Sequence, residues 1–253
     1  MIYDLQKASL LKRASAFLLD AILLVVLASG FFLLIGSITN FDKHLEVYNE
    51  AYSRIGAEYG ITPELQSKTP EQMTEEEKKL LNDADDALVK DPEVVSAYQM
   101  LLTLPTIMVS IGLLCAFLVL EFAVPLLLHN GQTVGKKIFG IAVMHTEGVR
   151  ISHMPLFVRT VLGKYAVETM PIAMTIMYIF FGIGSPVFAL IALALLLAQV
   201  ITLIATRENA LLHDKMAVTV AVDLASQMIF DTREQMLEYK KKAHAQKVAS
   251  SVY

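Results

Sequence analysis

Four polar side chains stand inside apolar stretches long enough to cross a bilayer. Asp20 lies in 14–39, Glu121 in 101–128, Glu168 in 161–183 and Gln199 in 185–206. An ionisable group in hydrocarbon costs at least ~2.5–3.5 kcal/mol, so its default reading is functional. At about 1.5 Å per residue, Asp20 sits roughly 9 Å and the other three roughly 10 Å from the same end of their helices. Carboxylates converging at one depth, away from water, could hold a proton or a small cation in turn. Burial would keep Asp20 or Glu121 protonated near neutral pH. Pro125 removes the amide that would bond the Glu121 carbonyl, and Pro171 does the same to Val167. A carboxylate and a freed carbonyl on one turn resemble the interrupted helices that seat ions in transporters. Arg13 and Asp20, seven residues apart, share a helix face. The competing reading is interhelical glue, in which buried polar groups bond neighbouring helices for about 0.6 kcal/mol each.

Positioning those groups requires membrane helices. The 253 residues are 55% hydrophobic and 18% charged, where soluble domains average about 45–50% and 25%. Each of the four stretches reaches the ~20 residues a span needs. The third is the weakest, with Lys164 and Glu168 in its first turns; 185–206 carries no charge. Gly182, Gly184 and Pro186 suit a tight turn between the last two. The first stretch is longer than a signal peptide's apolar core and reads as an anchor. Lys7, Lys12 and Arg13 precede it. Lys136, Lys137, Arg150 and Arg159 fill the loop between the second and third stretches, and Arg207, Lys215, Arg233, Lys240, Lys241, Lys242 and Lys247 follow the fourth. These positive flanks predict four spans with both termini cytoplasmic.

The segment 41–98 then lies outside, with fourteen acidic and six basic residues, a net charge of −8. Leu45, Tyr48, Tyr52 and Ile55, then Leu80, Leu81, Ala84 and Leu88, recur at helical spacing, and Thr74-Glu75-Glu76-Glu77 is a helix start. The expectation is an acidic helical extracytoplasmic insert over 41–99, between a first span within 1–40 and the remaining spans within 100–223. Asp83, Asp85 and Asp86 lack the glycine and closing glutamate of a calcium loop, and a solvated acidic face is the better reading. On the cytoplasmic side, 138–145 and 150–151 flank the turn Thr146-Glu147-Gly148, and 216–222 is short and β-branched. These strands are expected to pair as a small β element. From Leu224 the chain reads as a charged helix to 253, either solvated or resting on anionic lipid.

Several strings resemble one family. Lys12-Arg13-Ala-Ser-Ala-Phe-Leu-Leu-Asp20 is similar to the opening of the RDD family of bacterial integral membrane proteins. Gly131-Gln132-Thr133-Val-Gly135-Lys136-Lys137 resembles its central motif, and Arg159 fits the arginine that follows. Leu212-His213-Asp214-Lys-Met-Ala217-Val218-Thr219 resembles its closing block, with Val218 where glycine is usual. The resemblance covers the chain to about residue 222, apart from the insert. It implies namesake residues Arg13, Asp20 and Asp214, and a bacterial inner-membrane protein of loosely defined role. Sodium/proton exchange is the activity associated with at least one member.

Some classes are disfavoured. A single cysteine, Cys115, allows no internal disulfide or multi-cysteine metal cluster. A net charge of −4 does not suggest nucleic acid. Gly131, Gly135 and Lys136 do not have P-loop spacing, and His213-Asp214 has no nucleophile motif beside it. With these classes disfavoured, the sequence reads as a non-enzymatic multi-pass membrane protein without a cofactor, and the resemblance implies the bacterial plasma membrane. One function is a small, homo-oligomeric secondary transporter whose monovalent cation is held by Asp20 and Glu121. The other is an accessory or scaffold subunit that docks a protein through the acidic insert.

Overall fold

A computed structural model describes residues 5–128 and 130–251. The ends of the expected first and last segments, 1–4 and 252–253, and the side chain of Lys247 lie outside the described residues. The chain is mostly helical. By length and composition, three of the described helices could cross a membrane: α1 (Leu10–Ile38), the run Pro92–Leu127, and α10 (Val187–Ala205). The run Pro92–Leu127 comprises α5 (Pro92–Phe117), a π-helical turn π1 (Leu118–Ala123) and α6 (Val124–Leu127). The expected third span is also helical, as π2 (Val158–Thr169) continuing into α9 (Met170–Phe181). Its first half, π2, carries Arg159, Lys164 and Glu168 within ten residues.

Two compact units are formed. One comprises 32–109 and contains α2 (Phe41–Glu58), α3 (Pro63–Ser67) and α4 (Glu75–Lys90). Ala51, Ile55, Ala84, Leu88 and Val94 make its small core, with Tyr48 against its edge. Leu45 and Tyr52, expected on the apolar face, are exposed. Thr74 accepts from the Glu77 amide at 3.2 Å and Glu77 accepts from the Thr74 amide at 2.8 Å, a reciprocal cap that starts α4.

The other unit comprises 1–31 and 110–253. Short helices α7 (Val134–Ile138), α8 (His153–Phe157) and α11 (Leu212–Met216) connect its long elements. Strands β1 (Ile141–His145) and β2 (Thr219–Asp223) pair antiparallel, Ile141 opposite Asp223 and His145 opposite Thr219. The strands are shorter than the sequence suggests. Ile138 belongs to α7, and Val218 turns the chain into β2 with φ +54°. That left-handed conformation explains the glycine usual there, because a β-branched side chain is strained in it. Both faces of the sheet are covered. Ala142, Met144, Val220 and Val222 form one buried cluster, and Ile141 and Ala221 pack with Ala8 and Ala16 in another. The C-terminal helix α12 (Arg233–Ser251) begins nine residues later than expected. The segment before it is tied down instead: Phe230 bonds Gly148 and Arg150 through the backbone, and Gln227 accepts from the Gln6 amide at 2.8 Å.

Candidate functional site

Asp20 is held by the loop that leads from the second hydrophobic stretch into β1. The loop is fixed first: Gln132 Nε2 donates to the Ile141 carbonyl at 2.8 Å, and the Val143 amide donates to Asn130 O at 3.1 Å. Thr133 then caps α7 and donates its hydroxyl to Asp20 Oδ2, while the Gly135 amide donates to Asp20 Oδ1 at 2.7 Å. A Cβ on Gly135 would run into the Ala16 carbonyl oxygen and stand 2.9 Å from the Asp20 carboxyl. Only glycine lets α7 come this close to α1. Gly131, at φ +61°, supplies the left-handed turn before it.

Lys136 links Asp20 to Glu121. Its Nζ lies 3.8 Å from Asp20 Oδ2 and 3.9 Å from Glu121 Oε2, and it donates to Thr133 Oγ1 at 3.1 Å. Lys164 Nζ donates to Glu121 Oε2 at 2.6 Å. Burial, then the neighbouring Lys164, push the Lys136 ammonium down to about 7 against the pull of Glu121. The Glu121 carbonyl, which Pro125 frees from its helical partner, is not open to an ion: the buried Thr160 hydroxyl donates to it at 2.9 Å. Around this point the backbone is π-helical, with the Val124 amide reaching Val119 O. Both charged helices, π1 and π2, carry this wider register, which is found disproportionately at functional sites.

A second cluster gathers around α11. Gly163 makes room for it, since a Cβ there would stand 2.6 Å from His213 Cβ. Arg159 Nε donates to Asp214 Oδ1 at 2.9 Å, and Arg13 Nη2 is 3.6 Å from Asp214 Oδ2. Arg13 also donates to the Asn209 carbonyl at 2.6 Å. Burial works to raise the Asp214 carboxyl, but the Arg159 and Arg13 guanidiniums hold it well below the usual range. Arg159 Nη2 meets His213 Nε2 at 3.1 Å. A guanidinium can only donate, so Nε2 accepts, and His213 is the neutral tautomer whose Nδ1–H donates to Glu168 at 2.9 Å. Burial lowers the His213 pKa, in keeping with that tautomer. Gln199 accepts from the Leu212 amide at 2.9 Å, one residue before the His213 amide that donates to Glu168 at 3.0 Å.

The four sequence candidates thus fall into two groups, Asp20 with Glu121 and Glu168 with Gln199, on the wall of one cavity of about 660 Å³. Arg13, Lys136, Arg159, Lys164 and His213 also face it, whereas Asp214 lies behind Arg159. Asp20 and Glu121 meet ammonium groups, an ion-paired arrangement rather than two isolated carboxyls. Arg13, on the same helix as Asp20, serves the other cluster. Thr160 and Asn209 carried no sequence signal, and Lys164 stood out only as a blemish in a hydrophobic stretch. Its one hint was a cation one turn before Glu168. Among the described residues, no group of three or more His, Cys, Asp or Glu is placed to hold a metal ion, Asp83, Asp85 and Asp86 included.

The family model of the RDD family matches residues 7–218. No curated protein and no solved structure matches the chain.

Proposed function

The chain belongs to the RDD family, and from that premise we propose that it is a multi-pass protein of the bacterial plasma membrane that exchanges a monovalent cation for protons. In this reading the helical run 158–181 is a fourth span, both termini are cytoplasmic and 41–99 faces outward. The positive flanks of the hydrophobic stretches support that orientation. One observation carries the exchange reading. Two carboxylates from different hydrophobic stretches, Asp20 and Glu121, lie within 4 Å of the same ammonium on the cavity wall. A cation between them would take the place the Lys136 ammonium occupies, with the pair carrying cation or proton alternately. Four helices are few to enclose a path, so the transporter is a homo-oligomer in this reading. No enzymatic step and no cofactor is invoked.

The test is reconstitution into vesicles containing a pH-sensitive dye. An imposed sodium gradient should change the internal pH, and Asp20→Asn should abolish the response while leaving expression intact. A wild-type protein that gives no response retires the exchange reading.

A second reading is an accessory subunit. It is favoured by the pairing of Asp20, Glu121 and Asp214 with cations from other elements, as interhelical glue requires, and by the acidic surface of 41–99. Deleting 42–92 should then remove co-purifying proteins and leave any flux unchanged.

A further inference from the structure

The cavity has two kinds of wall. One is formed by the charged groups just described; the other, about a helical turn further along from Asp20, Glu168 and Gln199, is apolar side chains of α1, α9 and α10, among them Leu24, Ile172, Leu195 and Leu196. In α1 and α10 the most apolar windows are only 6% buried within the protein. Leu196 is 52% exposed. The apolar wall is therefore built from helices whose remaining surface is left to hydrocarbon, and a lipid chain can enter between them.

The charged end sets the headgroup. Lys136 and Lys164 balance Asp20 and Glu121. Arg13 and Arg159 share the one carboxylate of Asp214, which leaves a surplus positive charge on that side. His213 is neutral, because Arg159 occupies its Nε2, so Glu168, on the other side of the same imidazole ring, accepts from the ring Nδ1–H and the His213 amide but meets no cation. Around the imidazole the wall is dipolar, with guanidiniums on one side and a carboxyl on the other. An anionic headgroup would meet Glu168 unpaired, and a cationic one would meet the two guanidiniums. A headgroup with both a phosphate and a primary ammonium satisfies both ends, through charge-assisted hydrogen bonds.

We propose that this cavity binds one phospholipid with a zwitterionic phosphoethanolamine head, its phosphate toward Arg13 and Arg159, its ammonium toward Glu168, and an acyl chain along Leu196. The site is independent of the exchange reading, because binding is read without flux. The full-length protein, purified in detergent and stripped of lipid, is mixed with micelles of equimolar dioleoyl-phosphatidylethanolamine and dioleoyl-phosphatidylglycerol and weighed by native mass spectrometry. The wild type should retain one phosphatidylethanolamine per chain, preferred roughly tenfold over phosphatidylglycerol, as one charge-assisted bond allows. Leu196→Trp fills the apolar wall from an exposed position and should lose the adduct without a change in melting temperature. Glu168→Gln should bring the preference close to unity. Equal or stronger binding of phosphatidylglycerol by the wild type, an adduct that survives Leu196→Trp, or a dimer that excludes lipid would each overturn the proposal.

Discussion

The two units handle acidic side chains in opposite ways. In 32–109 the carboxylates are dense in sequence and mostly exposed. The ion pairs there join flexible side chains at the surface, such as Lys78–Glu75 at 2.8 Å and Arg54–Asp91 at 3.3 Å. In the other unit the carboxylates around the cavity are few, and each is met by cations or donors from several elements. Asp214 is 1% exposed and contacts Arg159, Arg13 and Thr219. Charge density in the sequence marks the solvated region. Charge isolation among apolar residues marks the region where electrostatics is strong, because little water remains to screen it.

Breaking the Arg159–Asp214 pair should have the largest effect. Arg159→Met leaves a buried carboxylate short of its main partner, and unfolding in detergent should lose about 3–5 kcal/mol. The effect has a pH signature. The folded Asp214 carboxyl lies below its ordinary value, so its stabilisation is complete above an unfolded pKa of about 3.9 and is lost as pH falls through the folded value. The gap between wild type and Arg159→Met should narrow in acid, and a constant gap from pH 7 to pH 3 would contradict this account. Gly135→Ala comes next. The methyl group would displace α7 from α1 and should cost about 3 kcal/mol, with Asp20 losing its amide donor. An unchanged melting temperature would mean that this contact is looser than described. Val218→Gly goes the other way. Relief of the left-handed backbone should stabilise the protein by about 1 kcal/mol, read as a higher melting temperature. Smallest is Lys78→Ala in the acidic unit, where losing an exposed i,i+3 pair should change stability by less than about 0.5 kcal/mol. A larger loss there would erase the contrast between the units.

Much of the fold was legible locally. Long apolar runs announced α1, α10 and the run Pro92–Leu127, since hydropathy depends on composition alone. The reciprocal cap at Thr74 could be read from four consecutive residues, as could the turn at Gly148, where the His145 amide bonds Val149 O. The late start of α12 was not legible, because the segment before it is held by Gly148, Arg150 and Gln6, all distant in sequence. The cavity shows the same divide. Asp20, Glu121, Glu168 and Gln199 stood out as polar residues in apolar runs, but their partners did not. Thr160 reaches the Glu121 carbonyl across 39 positions, and Thr133 reaches Asp20 across 113. The π-helical register that aligns Arg159, Lys164 and Glu168 leaves no periodic mark in so short a segment.

The residues alone established a helical membrane protein and its RDD motifs, and they singled out which polar side chains are costly to place in lipid. Tertiary structure decided what each of those side chains faces. Desolvation is a property of one residue in its own helix, whereas compensation requires a second group from another element. Glycines at 135 and 163, which let backbones approach, determine which groups meet.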